Sequence, residues 1–375
     1  MKILFLASLT TETGNFSTAD RLRRCLTDYD IACCLRCVTS FEDSESVNKF
    51  VKTDGFQCAI GIHAWRAGRL LLDCPVPFAI IFGGTDLNEY DRDKEKFETM
   101  TKAIRKAKYL VAFSSSMKNQ AVVLWPDCEE KIILQPQAVC VEPSGFLFHD
   151  YCKQVIDAQR QHQISNGYLS HKHTGLTVFL LVAGLRRVKD PLYLAESISE
   201  WHKDDNSIHL VIVGPELDTE FAREIKSKVQ RFPGVHIFPP LPACDLHAAM
   251  QSCFAVVNSS TSEGMASALL ESMALGVPVL ARIIPGNSAV IKHKETGILY
   301  NSPEEFITLA KELKKSPRLR NYITTNAKKY IGEHHSVEKE TKTYKWLVKK
   351  LGSLQRQQSG STFEESREIL TEQVC

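Results

Sequence analysis

Short runs of apolar residues recur along the chain and are separated by longer amphipathic segments. The first part of the chain contains KILFLAS, IACCLRCV, CAIGIHA, FAIIFGG, YLVAFSS and KIILQPQ. Continuous apolarity over about five to seven residues is typical of strands that are buried on both faces. The intervening segments, such as KFETMTKAIRKAKY, suit crossover helices. This alternation predicts an α/β fold with a parallel sheet.

The same alternation restarts in the second half of the chain with TVFLLVAG, IHLVIVGP, VHIFPP, CFAVVNSS and PVLARII. A chain of 375 residues is longer than one typical domain. We therefore expect two Rossmann-like domains, residues 1–170 and 171–335, joined near residues 165–175. A final helix over 336–352 should pack back on the first domain, and 353–375 reads as a polar, disordered tail. Ligands of such sheets bind beyond the carboxyl ends of the strands, so a cleft between the domains is the expected site.

The composition is that of an ordinary globular protein, with 43% hydrophobic and 24% charged residues and a net charge of +2. So balanced a chain has no general affinity for nucleic acid. No window approaches the ~18 apolar residues that a membrane span needs. The twelve cysteines and the short apolar N-terminus favour a cytoplasmic protein. Secretion is the alternative if that N-terminus acts as a signal. The oligomeric state is not indicated.

The segment SEGMASALLESMALGVP contains two glutamates, Glu263 and Glu271, with seven residues between them. The pattern predicts a strand, a polar turn, a helix over 266–275 and a stop at Gly276 and Pro278. Glu263 would precede this helix, and Glu271 would lie about two turns along it. The free N–H groups at the start of a helix form a site for phosphate. In this segment the residues concerned are Gly264, Met265, Ala266 and Ser267.

Carboxylates near a phosphate site are best explained if they bind hydroxyl groups, because each can accept two hydrogen bonds from a vicinal diol. At a rise of ~1.5 Å per residue the two glutamates could be ~10 Å apart, one at each end of a diphosphate. The spacing therefore indicates a nucleotide-sugar. A helix N-terminal charge followed by a solvated charge would give the same pattern.

Extended to SEGMASALLESMALGVPVLARIIPGNSAVIKHKETGILY, this segment resembles the donor-binding region of the retaining GT-B glycosyltransferases of family 4, or glycosyltransferase group 1. The family pattern is Glu, seven residues, Glu and a Gly-x-Pro-Val strand. The match continues through Pro285-Gly286-Asn287 and Thr296-Gly297. The resemblance implies a GT-B fold, with two Rossmann-like domains facing across a cleft. It also implies transfer of a sugar, with retention, from a UDP- or GDP-sugar type donor.

The segment VAGLRRVKDP carries three cations, Arg186, Arg187 and Lys189, after a strand. Arginine binds phosphate through two N–H groups and lysine supplies a point charge, so the group could neutralise a leaving diphosphate. A solvated basic turn would look the same. The family that the chain resembles has an arginine about five residues before the lysine, where this chain has Gly184. We expect Arg186 or Arg187 to replace that arginine.

The acceptor-side candidates lie in the first half of the chain. FAIIFGGTDLNEY resembles the end of the family's fourth strand, where many members read His-Gly-Thr and the histidine lies close to the transferred sugar. This chain has Gly83 in place of that histidine. His63, after the third strand, could approach instead, although a histidine at a strand end is often structural. The candidates are Gly14 and Asn15 in the first strand–helix loop, with His63, Thr85 and Asp86.

The combined hypothesis is a retaining hexosyl-type glycosyltransferase of the EC 2.4 class. Its catalytic candidates are Glu263, Lys189, Arg186 and Arg187, and Glu271 would hold the ribose. No metal and no cofactor is expected, because cations and a helix N-terminus can neutralise the leaving diphosphate. The partners would be a nucleotide-sugar donor and an unknown acceptor.

Two alternatives belong to other classes of protein. A catalytically degenerate GT-B-fold binding or scaffold protein is supported by Gly83 and Gly184, which replace the family's histidine and arginine. An NAD-dependent enzyme would need Gly-x-Gly-x-x-Gly after the first strand, and SLTTETGNFST lacks it.

Overall fold

The computed structural model describes residues 1–10, 14–27, 31–164 and 175–372, with side chains described as far as residue 357 except at 91 and 159–164. The chain forms two compact units. Unit 1 comprises Met1–Ala138 and the segment from Val337 onward, and unit 2 comprises Val139–Ser336. The division differs from the expected one at 170/171. Most of the segment that we expected to join the domains lies outside the described residues.

Unit 1 contains a six-stranded, fully parallel sheet in the order β2-β1-β3-β4-β5-β6. Each apolar run predicted in the first part of the chain contains one of its strands. The strands are β1 (Lys2–Ala7), β2 (Ala32–Cys37), β3 (Cys58–Ile62), β4 (Phe78–Ile81), β5 (Tyr109–Ala112) and β6 (Ile132–Leu134). The helices of this part are α1 (Gly14–Thr27), α2 (Ser44–Asp54), α3 (Gly84–Asn88), α4 (Lys94–Lys106) and α5 (Ser115–Leu124).

Unit 2 contains a second six-stranded parallel sheet, in the order β12-β11-β10-β7-β8-β9. Its strands are β7 (Thr177–Val182), β8 (Ile208–Val213), β9 (Val235–Phe238), β10 (Ala255–Asn258), β11 (Val279–Arg282) and β12 (Ile298–Tyr300). The sequence pattern missed β12, a strand of three residues. The helices are α6 (Phe148–Ile164), α7 (Ala195–Asp204), α8 (Thr219–Val229), α9 (Ala243–Ser252), α10 (Ser267–Leu275), α11 (Pro285–Ser288), α12 (Pro303–Lys315) and α13 (Pro317–His334).

Both faces of the second sheet are buried, which is why its strands are continuously apolar. Along β7, Phe179 and Leu181 belong to one hydrophobic cluster, and Val178 and Leu180 belong to another. Helices α7 and α12 cover the first cluster. Helices α6 and α9 cover the second, with Phe148 of α6 fully buried. Burial of a side chain of this size stabilises the fold by about 1.5–3 kcal/mol. The packing of α6 in this cluster explains why the helix, which precedes the expected domain boundary, belongs to unit 2.

The last helix, α14 (Val337–Glu372), belongs to unit 1. Glu340 of α14 is fully buried and pairs with Arg21 of α1 at 2.8 Å, and it also accepts the backbone N–H of Ala138 at 3.0 Å. The helix continues to Glu372, where the sequence analysis expected a disordered tail from residue 353. None of the described helices combines the length and the apolarity that crossing a bilayer requires.

Each sheet has a point where the strand order reverses. In unit 1 it lies between β1 and β3, and in unit 2 it lies between β7 and β10. At such a point the loops after the two strands diverge, which leaves a crevice outside their carboxyl ends. These two crevices are where polar side chains should be sought.

Candidate active site

The loops that follow β7 and β10 are joined by hydrogen bonds at the reversal point of unit 2. The backbone N–H of Thr261 donates to the carbonyl of Val188 at 2.9 Å. The hydroxyl of Ser259 donates to the carbonyl of Lys189 at 3.0 Å. These bonds fix the basic turn against the loop that carries Glu263.

Lys189 and Glu263 form an ion pair at this point. The Oε1 atom of Glu263 accepts hydrogen bonds from Lys189 Nζ, from Ser260 Oγ at 2.7 Å and from Asn258 Nδ2 at 3.2 Å. All three donors bind the same oxygen, and among the described residues none donates to Oε2. The side chains of Glu263 and Lys189 are 9% and 17% exposed. Glu263 is therefore held firmly on one side, with one oxygen still able to accept hydrogen bonds.

The carboxyl group of Glu263 is ionised at neutral pH. Burial by itself would raise its pKa, but the Lys189 ammonium and the hydrogen bonds from Ser260 and Asn258 outweigh burial and lower the pKa below its ordinary value. The group can therefore accept hydrogen bonds from a ligand, and it cannot donate a proton.

A buried amide network supports this pair. Asn287 of α11 donates from Nδ2 to Asn258 Oδ1 at 2.9 Å, and the hydroxyl of Tyr300 donates to the carbonyl of Asn258 at 2.8 Å. A Cβ atom on Gly286 would lie 2.2 Å from the Glu263 carbonyl oxygen. The Pro-Gly-Asn segment therefore packs directly behind Glu263. Asn258 was not among the predicted site residues, and its place as the polar last residue of an apolar strand was the available signal.

Arg282 is a second functional candidate that the sequence analysis missed. It ends β11, and its Nη1 lies 3.0 Å from Asp190 Oδ2 and 3.3 Å from the Ser259 carbonyl. Its guanidinium also lies 3.9 Å from the centre of the Tyr193 ring. Asp190 has a left-handed backbone (φ 43°), and Arg282 holds it in this position next to Lys189. A polar residue at the end of a strand was the available signal.

The other two cations of the basic turn differ in their surroundings. Arg187 lies 3.7 Å from Glu224 of α8, stacks over Phe221 and is 71% exposed. The Nε atom of Arg186 is buried and has no hydrogen-bond partner in the described part of the chain. A Cβ atom on Gly184 would lie 2.6 Å from a methyl group of Leu217. Leu217 thus fills the space beside Gly184, the position at which the family that the chain resembles has an arginine.

Helix α10 begins at Ser267, and Ala266 is its N-cap residue without a side-chain hydrogen bond. The first N–H groups of the helix therefore remain available for an anion. The helix ends at Gly276, which has a left-handed conformation (φ 74°), as predicted. Glu271 is the fifth helical residue, so it lies about one turn into the helix and not two.

In unit 1, the acceptor-side candidates lie at the carboxyl ends of β1, β3 and β4. Asp86 is fully buried and accepts the backbone N–H groups of Ala64 at 2.7 Å, Gly83 at 3.0 Å and Trp65 at 3.3 Å. Its Oδ1 also lies 3.3 Å from His63 Nδ1. Burial would raise the pKa of Asp86, but His63 and the backbone donors lower it below the ordinary value.

His63 occupies the space that a side chain at position 83 would need. A Cβ atom on Gly83 would lie 2.0 Å from His63 Cε1. His63 has a left-handed backbone (φ 77°), and its Nε2 lies 3.0 Å from the Asn15 amide nitrogen. Thr85 is partly buried in α3, and a Cβ atom at Gly14 would meet nothing within 4 Å. The structure thus brings Asn15, His63 and Asp86 together.

Comparisons with known proteins bear on this geometry. The family model described as "Glycosyl transferases group 1" matches residues 170–330. Glycosyltransferase 1 domain-containing protein 1 of Xenopus tropicalis is 41% identical over 348 residues, which cover 93% of this chain and 97% of that protein. The chain belongs to the glycosyltransferase group 1 family. A more distant family relative, D-inositol 3-phosphate glycosyltransferase of Pseudarthrobacter chlorophenolicus, is 32% identical over 148 residues, covering 38% of this chain and 33% of that one.

Solved structures of similar proteins share the two-domain GT-B fold. Anabaena HepE in complex with UDP-glucose has a TM-score of 0.72 at 15% identity, over 93% of this chain and all of that one. Sucrose-phosphate synthase from Thermosynechococcus elongatus has a TM-score of 0.73 at 14% identity, over 94% of this chain and all of that one. At such low identity the likeness shows the fold alone. It confirms the predicted fold class.

Proposed function

We propose that the chain transfers a sugar from a nucleotide-diphosphate donor of the UDP- or GDP-sugar type to a hydroxyl acceptor, with retention at the anomeric carbon. The observation that carries this proposal is the Lys189–Glu263 pair at the reversal point of the second sheet. Family membership supports a transferase of the EC 2.4 class. The relative with a bound UDP-sugar supports the class of donor.

Glu263 is assigned to the donor sugar. Its Oε2 atom, which no described residue approaches as a donor, would accept hydrogen bonds from sugar hydroxyls. Its Oε1 atom stays bound to Ser260 and Asn258, so the carboxylate keeps its orientation when a ligand arrives. Glu271, farther along α10, is assigned to the ribose diol.

The diphosphate is assigned to Lys189, Arg186 and the start of α10. In the transfer step the bond between the anomeric carbon and the β-phosphate oxygen breaks, and the acceptor oxygen bonds to that carbon on the same face. The acceptor proton passes to the departing diphosphate. Cations and N–H groups that face the growing negative charge lower the barrier by several kcal/mol. They supply the neutralisation that a metal ion gives elsewhere, so we propose metal-independent transfer.

Arg186 is preferred over Arg187 because Arg187 already lies beside Glu224 and is mostly exposed. Residues Gly184 and Gly264 to Ser267 would line the diphosphate. Residues Asn15, His63 and Thr85, with the loop at Gly14, are assigned to the acceptor side. Asp86 is fully buried and is assigned to holding His63 and the surrounding backbone.

Calorimetric titration with UDP, GDP, ADP and their sugar conjugates tests the donor site. Binding of one diphosphate should weaken about tenfold or more in Arg186→Ala, since a charge-assisted phosphate contact contributes about 1.5–3 kcal/mol. Arg187→Ala is the matched control from the same turn and should bind like wild type. Equal losses in both variants would contradict the assignment of Arg186, and no binding to any diphosphate would overturn the proposed function.

The reaction itself needs separate measurements. Transfer or donor hydrolysis should persist in EDTA, and NMR of the product should show the anomeric configuration of the donor. One observation favours a second function, donor binding without turnover: Leu217 fills the space beside Gly184. Nucleotide binding without transfer or hydrolysis above a Glu263→Gln control would support that second function.

A further inference from the structure

His247 of α9 links Glu271 to a backbone segment outside the proposed donor site. The backbone N–H of Glu142 donates to His247 Nδ1 at 3.1 Å. On the other side of the ring, His247 Nε2 lies 3.8 Å from Glu271 Oε2. The side chains of His247 and Glu271 are 11% and 22% exposed.

The hydrogen bond from Glu142 determines where the imidazole carries its proton. Because Nδ1 accepts a backbone N–H, it cannot also carry hydrogen, and a neutral ring must be protonated at Nε2. Burial favours this neutral form by lowering the pKa of His247. The Nε2–H group therefore faces the Glu271 carboxylate.

The segment that contains Glu142 is fastened to α9 by other contacts. The backbone N–H of Ser144 donates to the carbonyl of Cys244 at 3.0 Å, and the Ser144 hydroxyl donates to Asp245 at 2.5 Å. These bonds hold the segment two residues beyond Glu142. The segment is therefore attached to α9 without His247. Attachment of the segment alone does not explain why the His247 ring also faces Glu271.

We propose that His247 is a positioning residue for Glu271: its Nε2–H, 3.8 Å from Oε2, orients the carboxylate electrostatically toward a vicinal diol of the ribose type. This inference rests on the proposed function, in which Glu271 contacts the ribose. It adds a residue from a different helix, α9, to the determinants of that subsite. The loss of His247 should weaken recognition of the diol and leave the diphosphate contacts unchanged.

The test compares UDP, GDP and ADP with their 2′,3′-dideoxy analogues, which lack the diol. In wild type the preferred diphosphate should bind at least about tenfold more tightly than its dideoxy analogue, because the analogue lacks the hydroxyls that donate hydrogen bonds to the Glu271 carboxylate. His247→Asn can still accept the Glu142 N–H but does not reach Glu271. We expect it to reduce the ratio of the two dissociation constants several-fold, with affinity for the dideoxy analogue unchanged.

Two further variants separate positioning from stability. His247→Gln can place an N–H near the original Nε2 and should restore most of the ratio, even if its melting temperature falls. Ser144→Ala weakens the attachment of the segment and should leave the ratio unchanged. An unchanged ratio in His247→Asn, or equal losses for both ligands, would overturn this inference alone. Failure of wild type to bind any diphosphate would overturn the proposed function and this inference with it.

Discussion

A buried carboxylate lies near the carboxyl end of a strand in each unit, Asp86 in unit 1 and Glu263 in unit 2, and the two are held in different ways. Asp86 in unit 1 is fully buried, accepts three backbone N–H groups and uses both oxygens. Glu263 in unit 2 accepts one ammonium and two side-chain donors on a single oxygen. Both have a lowered pKa. A low pKa therefore does not distinguish Asp86 from Glu263, for which we propose a ligand-binding role, whereas the identity and placement of their donors differ.

The largest effect is expected for Asp86→Asn. The amide NH2 group would face a buried donor where a carboxylate oxygen now accepts, and the contact with His63 would be lost, so the free energy of unfolding should fall by about 3–5 kcal/mol. Urea denaturation measures this loss. Asp54→Asn, at an exposed pair with Lys2, is the control and should stay within about 0.5 kcal/mol of wild type. If Glu263→Gln destabilises the fold as much as Asp86→Asn, the contrast between the two carboxylates is wrong.

Lys189→Ala should act mainly on activity. In the proposed reaction Lys189 faces the charge that develops on the leaving diphosphate, so its removal should lower kcat/KM for transfer or donor hydrolysis about 10²-fold or more. Steady-state kinetics measure this loss. Lys189→Arg keeps the charge and should retain more activity than Lys189→Ala. If Lys189→Ala keeps full activity, the assignment of the donor site to unit 2 is wrong.

The two glycines that replace family residues should respond differently to substitution. Gly83→Ala places a methyl group inside the His63 ring and should destabilise the fold by about 1–3 kcal/mol. Gly184→Ala meets the exposed Leu217 side chain, which can move, and lies at ordinary contact distance from the Pro215 carbonyl oxygen, so about 0.5 kcal/mol or less is expected.

Thermal or urea unfolding of the double variant His63→Ala/Gly83→Ala tests whether the His63 ring is the reason that position 83 is glycine. His63→Ala opens the space at position 83, so Gly83→Ala should cost much less in that background than in wild type. Equal costs in both backgrounds would show that the imidazole is not what position 83 accommodates.

The smallest expected effect is on the pH dependence of stability. Glu263 has an ordinary pKa of 4.5 that is lowered in the folded chain. A lowered pKa contributes stability that is complete above the ordinary value and is lost as the pH falls through the folded-state pKa. Between about pH 5 and pH 3, Glu263→Gln should therefore lose less stability than wild type. A parallel pH profile for the two proteins would show that the pKa of Glu263 is the same in the folded and the unfolded chain, which contradicts the lowered pKa.

The sequence by itself determined the local elements of this protein. Eleven of the twelve strands lie in apolar runs, and α10 ends at the predicted glycine. Lys189 and Glu263 were chosen because they follow strands in the pattern of a known family. These features depend on residues that are close in sequence. A continuous apolar run indicates a strand buried on both faces, and a glycine permits the positive φ that ends a helix.

The tertiary structure decided what those residues contact. Lys189 and Glu263 are 74 positions apart, and no local pattern specifies which oxygen of Glu263 is bound or that Arg187 turns to Glu224. The same holds for His63, whose ring fills the space at Gly83 from a neighbouring strand. The periodicity of apolar residues indicates which face of a helix or strand is buried. It does not indicate which residues a side chain contacts, because those contacts depend on strand order and on packing between distant segments.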